Sequence, residues 1–229
     1  QVDNTLVEMA DPVFLGYHIL RDSQFSSKAV AKQVPEEKVG LFCLDGETTR
    51  VVEYSEIGEV EQNEREEDGR LTFRAGNIAC HVVSTEFVAP DDSAEPFVMP
   101  YHIARKAVTF LRDGEEVTGT DPNSVRFESF IFDVLPRTRN PVVLEADRAR
   151  EFAPVKNAEG ADSPASSRQA LISLWAEWLE AAGIEVPRDE NGQPKNRIEI
   201  SPLVADSQEQ LTAALEEWDL DPSKTIHLR

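Results

Sequence analysis

Apolar residues in the first two-thirds of the chain come in short bursts separated by turn chemistry. Residues 39–44 are largely apolar, Asp45-Gly46 follows, and residues 50–54 carry Val51 and Val52. Two short strands around an Asp-Gly turn predict a β-hairpin, because glycine supplies the backbone freedom a tight turn needs. Residues 71–73 read as another strand, leading into Ala75-Gly76-Asn77. Ile78, His81, Val82 and Thr85 then recur at intervals of three and four, which predicts a helix beginning near Ile78. Residues 101–108 read as a second helix, and residues 109–117 turn about Asp113-Gly114 as a second hairpin. Phe127, Phe130, Ile131 and Val134 predict a buried helix over residues 125–135, and residues 142–144 form a short β-branched strand.

The remaining segments are polar or belong to a different pattern. Residues 59–70 are the most charged in the chain and read as a solvated surface, and residues 89–100 read as a loop rich in Pro, Asp and Ser. After an irregular crossing over residues 151–162, Ser163-Pro164 opens a helix, with Ser at the N-cap and Pro where a missing N–H costs nothing. Its predicted apolar stripe is Leu171, Leu174, Trp175, Trp178 and Leu179, and Gly183 stops it. Residues 188–196 form a polar turn with Asn191-Gly192, and residues 198–204 form a strand that Pro202 assigns to an edge. Ser207 with Gln210 starts a last helix through Trp218. Strands alternating with helices give an α/β class, with one domain over residues 1–150 and a smaller region over residues 151–229.

Charge and composition narrow the function. The 229 residues hold 23 Lys and Arg against 43 Asp and Glu, a formal net charge of −20, which excludes a broad basic surface for nucleic acid or anionic membrane. An anionic small molecule remains compatible, since a few placed cations override the global field inside a cleft. Cys43 and Cys80 are too far apart for a CxxC site, no apolar run approaches the roughly 18 residues of a membrane span, and no signal peptide is visible. A cytoplasmic protein follows as the expectation. His18, His81, His102 and His227 are scattered and take structural or surface roles. HExxH, GxSxG, GxxxxGK[ST] and GxGxxG are all absent, so metalloprotease, serine hydrolase, P-loop and Rossmann readings lose support. The chain opens on Gln1 directly into an ordered pattern, so it is expected to be part of a longer protein.

What remains is a set of polar residues at the ends of apolar elements, where open α/β sheets bind ligands. They are Asp3 and Asn4 after Val2, Glu53 and Tyr54 after Val51-Val52, Asn77 between two elements, and Lys156 and Asn157 in the irregular crossing. Singly, a glutamate after two valines is ordinarily solvent-facing and a loop lysine is ordinarily a surface charge. Their context is more specific. Val2-Asp3-Asn4, Val51-Val52-Glu53-Tyr54-Ser55-Glu56, Phe73-Arg74-Ala75-Gly76-Asn77-Ile78, Phe130-Ile131-Phe132-Asp133 and Phe152-Ala153-Pro154-Val155-Lys156-Asn157-Ala158 occur in that order. This series resembles the eukaryotic-type UDP-N-acetylglucosamine pyrophosphorylase family, and UDP-sugar and UDP-glucose pyrophosphorylases share parts of it. The resemblance runs from Gln1 to about Leu203.

The resemblance implies part of a nucleotide-diphospho-sugar transferase fold, a GT-A-like mixed sheet flanked by helices, with a small C-terminal α+β region. Residues 1–150 would be the second half of the uridylyltransferase domain, on its sugar-binding side, and residues 151–229 the substrate-phosphate loop and C-terminal region. It implies a reaction of UTP with N-acetylglucosamine 1-phosphate to give UDP-N-acetylglucosamine and pyrophosphate, with Mg²⁺. Asp3 would face UTP and the metal, Glu53 and Tyr54 the sugar, Asn77 the sugar or its N-acetyl group, and Lys156 the sugar phosphate. Arg126 stands where the family usually has a lysine near the nucleotide phosphates, and Gly40 would allow a close backbone approach. The family's glycine-rich phosphate loop, GGxGTRLG-like, does not occur in these 229 residues, so the isolated chain is expected not to catalyse transfer. A broader UDP-sugar or UDP-glucose pyrophosphorylase and a non-catalytic sugar-phosphate-binding fragment are the alternatives.

Overall fold

The structure is a computed structural model that describes residues 2–89, 98–215, 218 and 220–229. Most of the loop expected over residues 89–100, and residues 216 and 217 of the expected last helix, lie outside the described residues, while Trp218 is described and is not helical, the helix ending at Ala214. The chain divides into two compact units, one of Pro12–Leu144 and one of Gln1–Asp11 with Glu145–Arg229.

The Pro12–Leu144 unit is built on a five-stranded sheet. In chain order its strands are β1 (Phe25–Ala31), β2 (Leu41–Asp45), β3 (Thr48–Val52), β4 (Ala75–Val83) and, after the two small sheets below, β9 (Val142–Glu145). Their spatial order is β3-β2-β4-β1-β9. The expected hairpin is β2–β3, antiparallel from Leu41↔Val52 to Asp45↔Thr48, with Gly46 in the turn at φ +63°. Two small antiparallel pairs follow: β6 (Thr109–Arg112) with β7 (Glu115–Thr118), the second expected hairpin, and β5 (His102–Lys106) with β8 (Ser124–Glu128). A 3₁₀ helix, Ile131–Arg137, carries Phe132, Val134 and Leu135 into a core with Phe25, Ala29 and Phe42. Helix α1 (Pro12–Leu20) precedes the sheet, and the short helices α2 (Glu59–Asn63) and α3 (Thr85–Val88) lie between strands.

Three helical expectations are corrected here. The run from Ile78 is strand β4, paired antiparallel with β1. Its register passes from Ser27↔His81 to Ala29↔Asn77, so two extra residues sit in β4, with Ala79 at φ +54°. That bulge breaks the two-residue alternation and spaces the apolar positions three and four apart, which imitates a helix. Within residues 101–108 the regular element is strand β5, where Ile103, like Tyr101 just before it, faces solvent and so hides the alternation. Residues 125–135 are two elements, β8 and the 3₁₀ helix, separated by extended backbone at Phe130. Residues 71–73 form no strand, only a single bridge from Leu71 to Arg65. Val51 and Val52 are half-buried, and residues 59–70 are almost all exposed.

The other unit gathers around α5 (Pro164–Ala181). Ser163 caps it with a full capping box, Pro164 is its first residue, and Gly183 follows its end at φ +87°. Its buried apolar positions are Ile172, Ala176 and Leu179, flanked by the partly buried Trp175 and Trp178, so the core-facing stripe is rotated from the expected one and centred on Ile172 and Ala176. The strand near residue 198 is shorter than expected: β10 (Ile198–Ile200) ends before Pro202 and pairs in parallel with β11 (Ile226–Leu228). Helix α6 (Gln208–Ala214) starts at the Ser207 cap and buries Leu211 completely. The four-residue helix α4 (Arg148–Glu151) leads into the segment that carries Lys156.

Candidate active site

The centre of the five-stranded sheet brings Gly40, Glu53 and Asn77 together. Strand β2 is flanked by both β3 and β4, so the residues at its start meet the end of β3 and the start of β4. The Asn77 N–H donates to the Gly40 carbonyl at 2.7 Å. A Cβ on Gly40 would stand 2.7 Å from Glu53 Oε1 and 3.0 Å from Val51 Cγ1. Only glycine leaves room for the glutamate carboxylate at this point.

Local structure fixes the backbone at Glu53 and the side chain of Asn77. Glu53 opens a tight turn in which its carbonyl accepts from the N–H groups of Glu56 and Ile57, at 2.9 and 3.2 Å. Its own N–H donates to Glu56 Oε2 at 3.4 Å. Asn77 Oδ1 accepts from the Ala79 N–H at 2.9 Å, a bond that belongs to the β4 bulge and fixes the amide orientation. The oxygen is therefore used internally, and the two N–H donors of Nδ2 are the part of the side chain suited to a ligand. Tyr54 is largely exposed beside Glu53. Arg126 is exposed on β8 and its guanidinium is engaged by Glu128 two residues along the same strand. A small apolar pocket of about 240 Å³ is lined by Leu41, Cys43, Val52, Ile57, Gly58, Glu61 and Phe73, and holds none of the residues expected in the site.

Asp3 and Lys156 belong to the other unit, where Asn4 ties their two segments. The Asn4 side chain is buried, donates to the Glu151 carbonyl at 2.7 Å and accepts from the Ala153 N–H at 2.9 Å. The Val155 N–H donates to the Asp3 carbonyl at 2.8 Å, so Asp3 and Lys156 sit on adjoining backbone although 153 positions separate them in sequence. The N–H groups of Lys156 and Asn157 both donate to the Asp162 carbonyl, at 2.7 and 2.9 Å, closing the loop just before the capping box of α5. The Lys156 ammonium lies 5.6 Å from the centre of the Phe152 ring and is exposed, with no carboxylate partner among the described residues. Asp3 Oδ1 is buried without a hydrogen-bond partner among the described residues. An orphaned carboxylate oxygen of this kind fits a hard cation or a donor group on a ligand. The carboxylates of Glu8, Asp11 and Glu151 lie within 4.8 Å of one another but do not include Asp3.

The mixed sheet with polar residues at its adjoining strand ends is the fold of the nucleotide-sugar pyrophosphorylases. The profile of the UTP–glucose-1-phosphate uridylyltransferase family matches residues 1–191, and the chain belongs to that family. It is 40% identical to the human UDP-N-acetylhexosamine pyrophosphorylase-like protein 1, over 94% of the chain and 45% of the relative. It is also 40% identical to UDP-N-acetylglucosamine pyrophosphorylase of Saccharomyces cerevisiae, over 80% of the chain and 39% of the relative. Among solved structures it resembles the UDP-N-acetylglucosamine pyrophosphorylase of Trypanosoma brucei, with a TM-score of 0.73 and 28% identity over the whole chain and 47% of that protein. The chain thus spans less than half the length of these curated relatives. No helix among the described residues is long and apolar enough to cross a membrane.

Proposed function

We propose that the chain forms the sugar-phosphate side of an enzyme that joins UTP and N-acetylglucosamine 1-phosphate into UDP-N-acetylglucosamine and releases pyrophosphate. The observation that carries this reading is the assembly of Gly40, Glu53 and Asn77 at adjoining strand ends in a chain of this family. The reaction is an in-line displacement at the α-phosphorus: a phosphate oxygen of the sugar phosphate attacks and pyrophosphate leaves. It requires alignment and charge neutralisation and no covalent nucleophile.

In this reading Glu53 accepts hydrogen bonds from sugar hydroxyls and Tyr54 offers an apolar face or a backbone contact. Asn77 donates through Nδ2 to the sugar or to the acetamido carbonyl. Lys156 holds the sugar phosphate as a compact cation, and Asp3 takes the metal-facing role. Magnesium, when bound, would polarise phosphate oxygens and neutralise their developing charge. Arg126 serves the nucleotide phosphates only on release from Glu128. The same reading assigns the protein to the cytoplasm, in keeping with Cys43 and Cys80 being thiols and not a disulfide.

The test is pyrophosphate release by the intact protein with each substrate varied. Glu53→Gln should lower kcat/KM for the sugar phosphate about tenfold or more. Asn77→Ala should narrow the preference for N-acetylglucosamine 1-phosphate over glucose 1-phosphate, since a site built to bond an acetamido group is left with an unpaired partner by the hydroxyl analogue. An intact protein that releases no pyrophosphate in response to the sugar phosphate sinks the reading.

A further inference from the structure

The imidazole of His102, on β5, lies between two carboxylates. Its Nδ1 is 3.0 Å from Glu56 Oε1 and its Nε2 is 3.0 Å from Asp133 Oδ2. A neutral imidazole has one N–H and can donate to only one of them, whereas the imidazolium donates to both. The Glu56 carboxylate has a second task. Its other oxygen accepts from the Glu53 N–H at 3.4 Å, and the backbone N–H of Glu56 donates to the Glu53 carbonyl at 2.9 Å. Asp133 belongs to the 3₁₀ helix and its side chain is only 13% exposed, so it is the fixed end of the series. The ring of Phe130 lies against His102 at 4.9 Å and stacks on Phe132 at 4.9 Å, which shields the histidine from solvent on one side.

We propose that protonated His102 is a positioning residue: it clasps Glu56 to Asp133 and thereby holds the Glu53 turn in the shape the sugar site uses. This rests on the sugar-binding reading of Glu53 for its function, but not for its geometry. Across the β5–β8 pair His102 stands opposite Glu128, which engages Arg126. Partial burial works against the charge on His102, but the hydrogen bonds to Glu56 and Asp133 outweigh it and raise the pKa above the ordinary histidine value. The clasp is therefore complete well below that raised pKa, and one of its two hydrogen bonds is lost as pH rises through it.

The experiment follows the four histidine ring signals and the Glu53 amide of the unmutated chain by NMR across pH. His102 should titrate above the ordinary histidine value, and the Glu53 amide should move with the same midpoint. Glu56→Gln should lower the His102 midpoint and leave His227 where it was. A His102 midpoint at or below the ordinary value, or a Glu53 amide indifferent to it, overturns the clasp. Binding of N-acetylglucosamine 1-phosphate to the chain should weaken about tenfold from below to above that midpoint. His102→Gln should bind weakly at every pH. His102→Lys, permanently charged, should keep the affinity and lose the pH dependence, which a merely structural histidine would not show. Coincident midpoints in a chain that binds no sugar phosphate at any pH support the clasp and overturn the sugar-binding reading instead.

Discussion

Lys156 and Gly40 carry the two predictions that belong to single residues. The ammonium of Lys156 has an aromatic ring beneath it and solvent above, on a loop closed by two N–H bonds to Asp162. A charge-assisted bond to a phosphate is worth roughly 1.5–3 kcal/mol, and each 1.36 kcal/mol is about tenfold in rate. Lys156→Ala in the intact protein should therefore lower kcat/KM for the sugar phosphate about tenfold or more, with a much smaller change for UTP. An unchanged value would return Lys156 to the ordinary role of a surface charge. For Gly40, the atom an added methyl meets first is Oε1 of Glu53, the free end of a flexible side chain, and the next is Val51 Cγ1. The carboxylate can swing aside more easily than backbone can move. Gly40→Ala should accordingly cost little stability, within about 1 kcal/mol, while it displaces Glu53 and weakens sugar-phosphate binding. Loss of fold without specific loss of binding would contradict that assignment.

At the scale of elements, the β1–β4 pair shows both what the sequence reveals and what it conceals. The hairpins around Gly46 and Gly114 and the capped start of α5 are legible because turn and cap chemistry is local. Strand β4 is not, because its bulge is defined against β1 and turns a two-residue period into a helical one. The polar ends of Glu53 and Asn77 are visible as motifs, but the glycine-sized gap between Gly40 and Glu53 exists only once β2 pairs with β3. The tie between residues 3–5 and 151–155 is equally non-local, carried by the Asn4 amide. His102 reads as one scattered histidine because its partners lie 46 and 31 positions away. The same β1–β4 pair holds His81, whose Nδ1 meets Ser27 Oγ at 2.9 Å and whose Nε2 is buried without a partner among the described residues. Burial pushes its pKa down from 6.5 to about 4. The unfolded chain takes up this proton first as pH falls, so stability is lost from about pH 6.5 downward and the loss is complete below the folded value. The shift corresponds to about 3 kcal/mol at most. Chemical denaturation between pH 7 and 4 should show a smaller decline for His81→Gln than for the unmutated chain. Parallel declines would mean that other groups govern acid sensitivity.

For the whole molecule, the decisive quantity is the formal net charge of −20. A sugar 1-phosphate is itself an anion of charge near −2, so its approach is opposed at long range even where a lysine is proposed to hold it. The two effects act over different distances. A hydrogen-bonded ammonium–phosphate contact is far shorter than the Debye length, which is about 10 Å at 0.1 M salt. The repulsion is summed over charges spread across the whole surface, much of it beyond that length, and is the part that salt removes. Added salt should therefore strengthen sugar-phosphate binding by the chain between about 10 and 150 mM, opposite in sign to a protein with a net basic surface. Lys156→Ala should bind more weakly throughout while keeping the upward slope, since the slope reports the global field and the offset reports the contact. Titration calorimetry in sodium chloride at fixed pH measures both. Affinity that falls steadily with salt, with a slope abolished by Lys156→Ala, would mean that local cations control the approach and that the acidic surface does not reach the site.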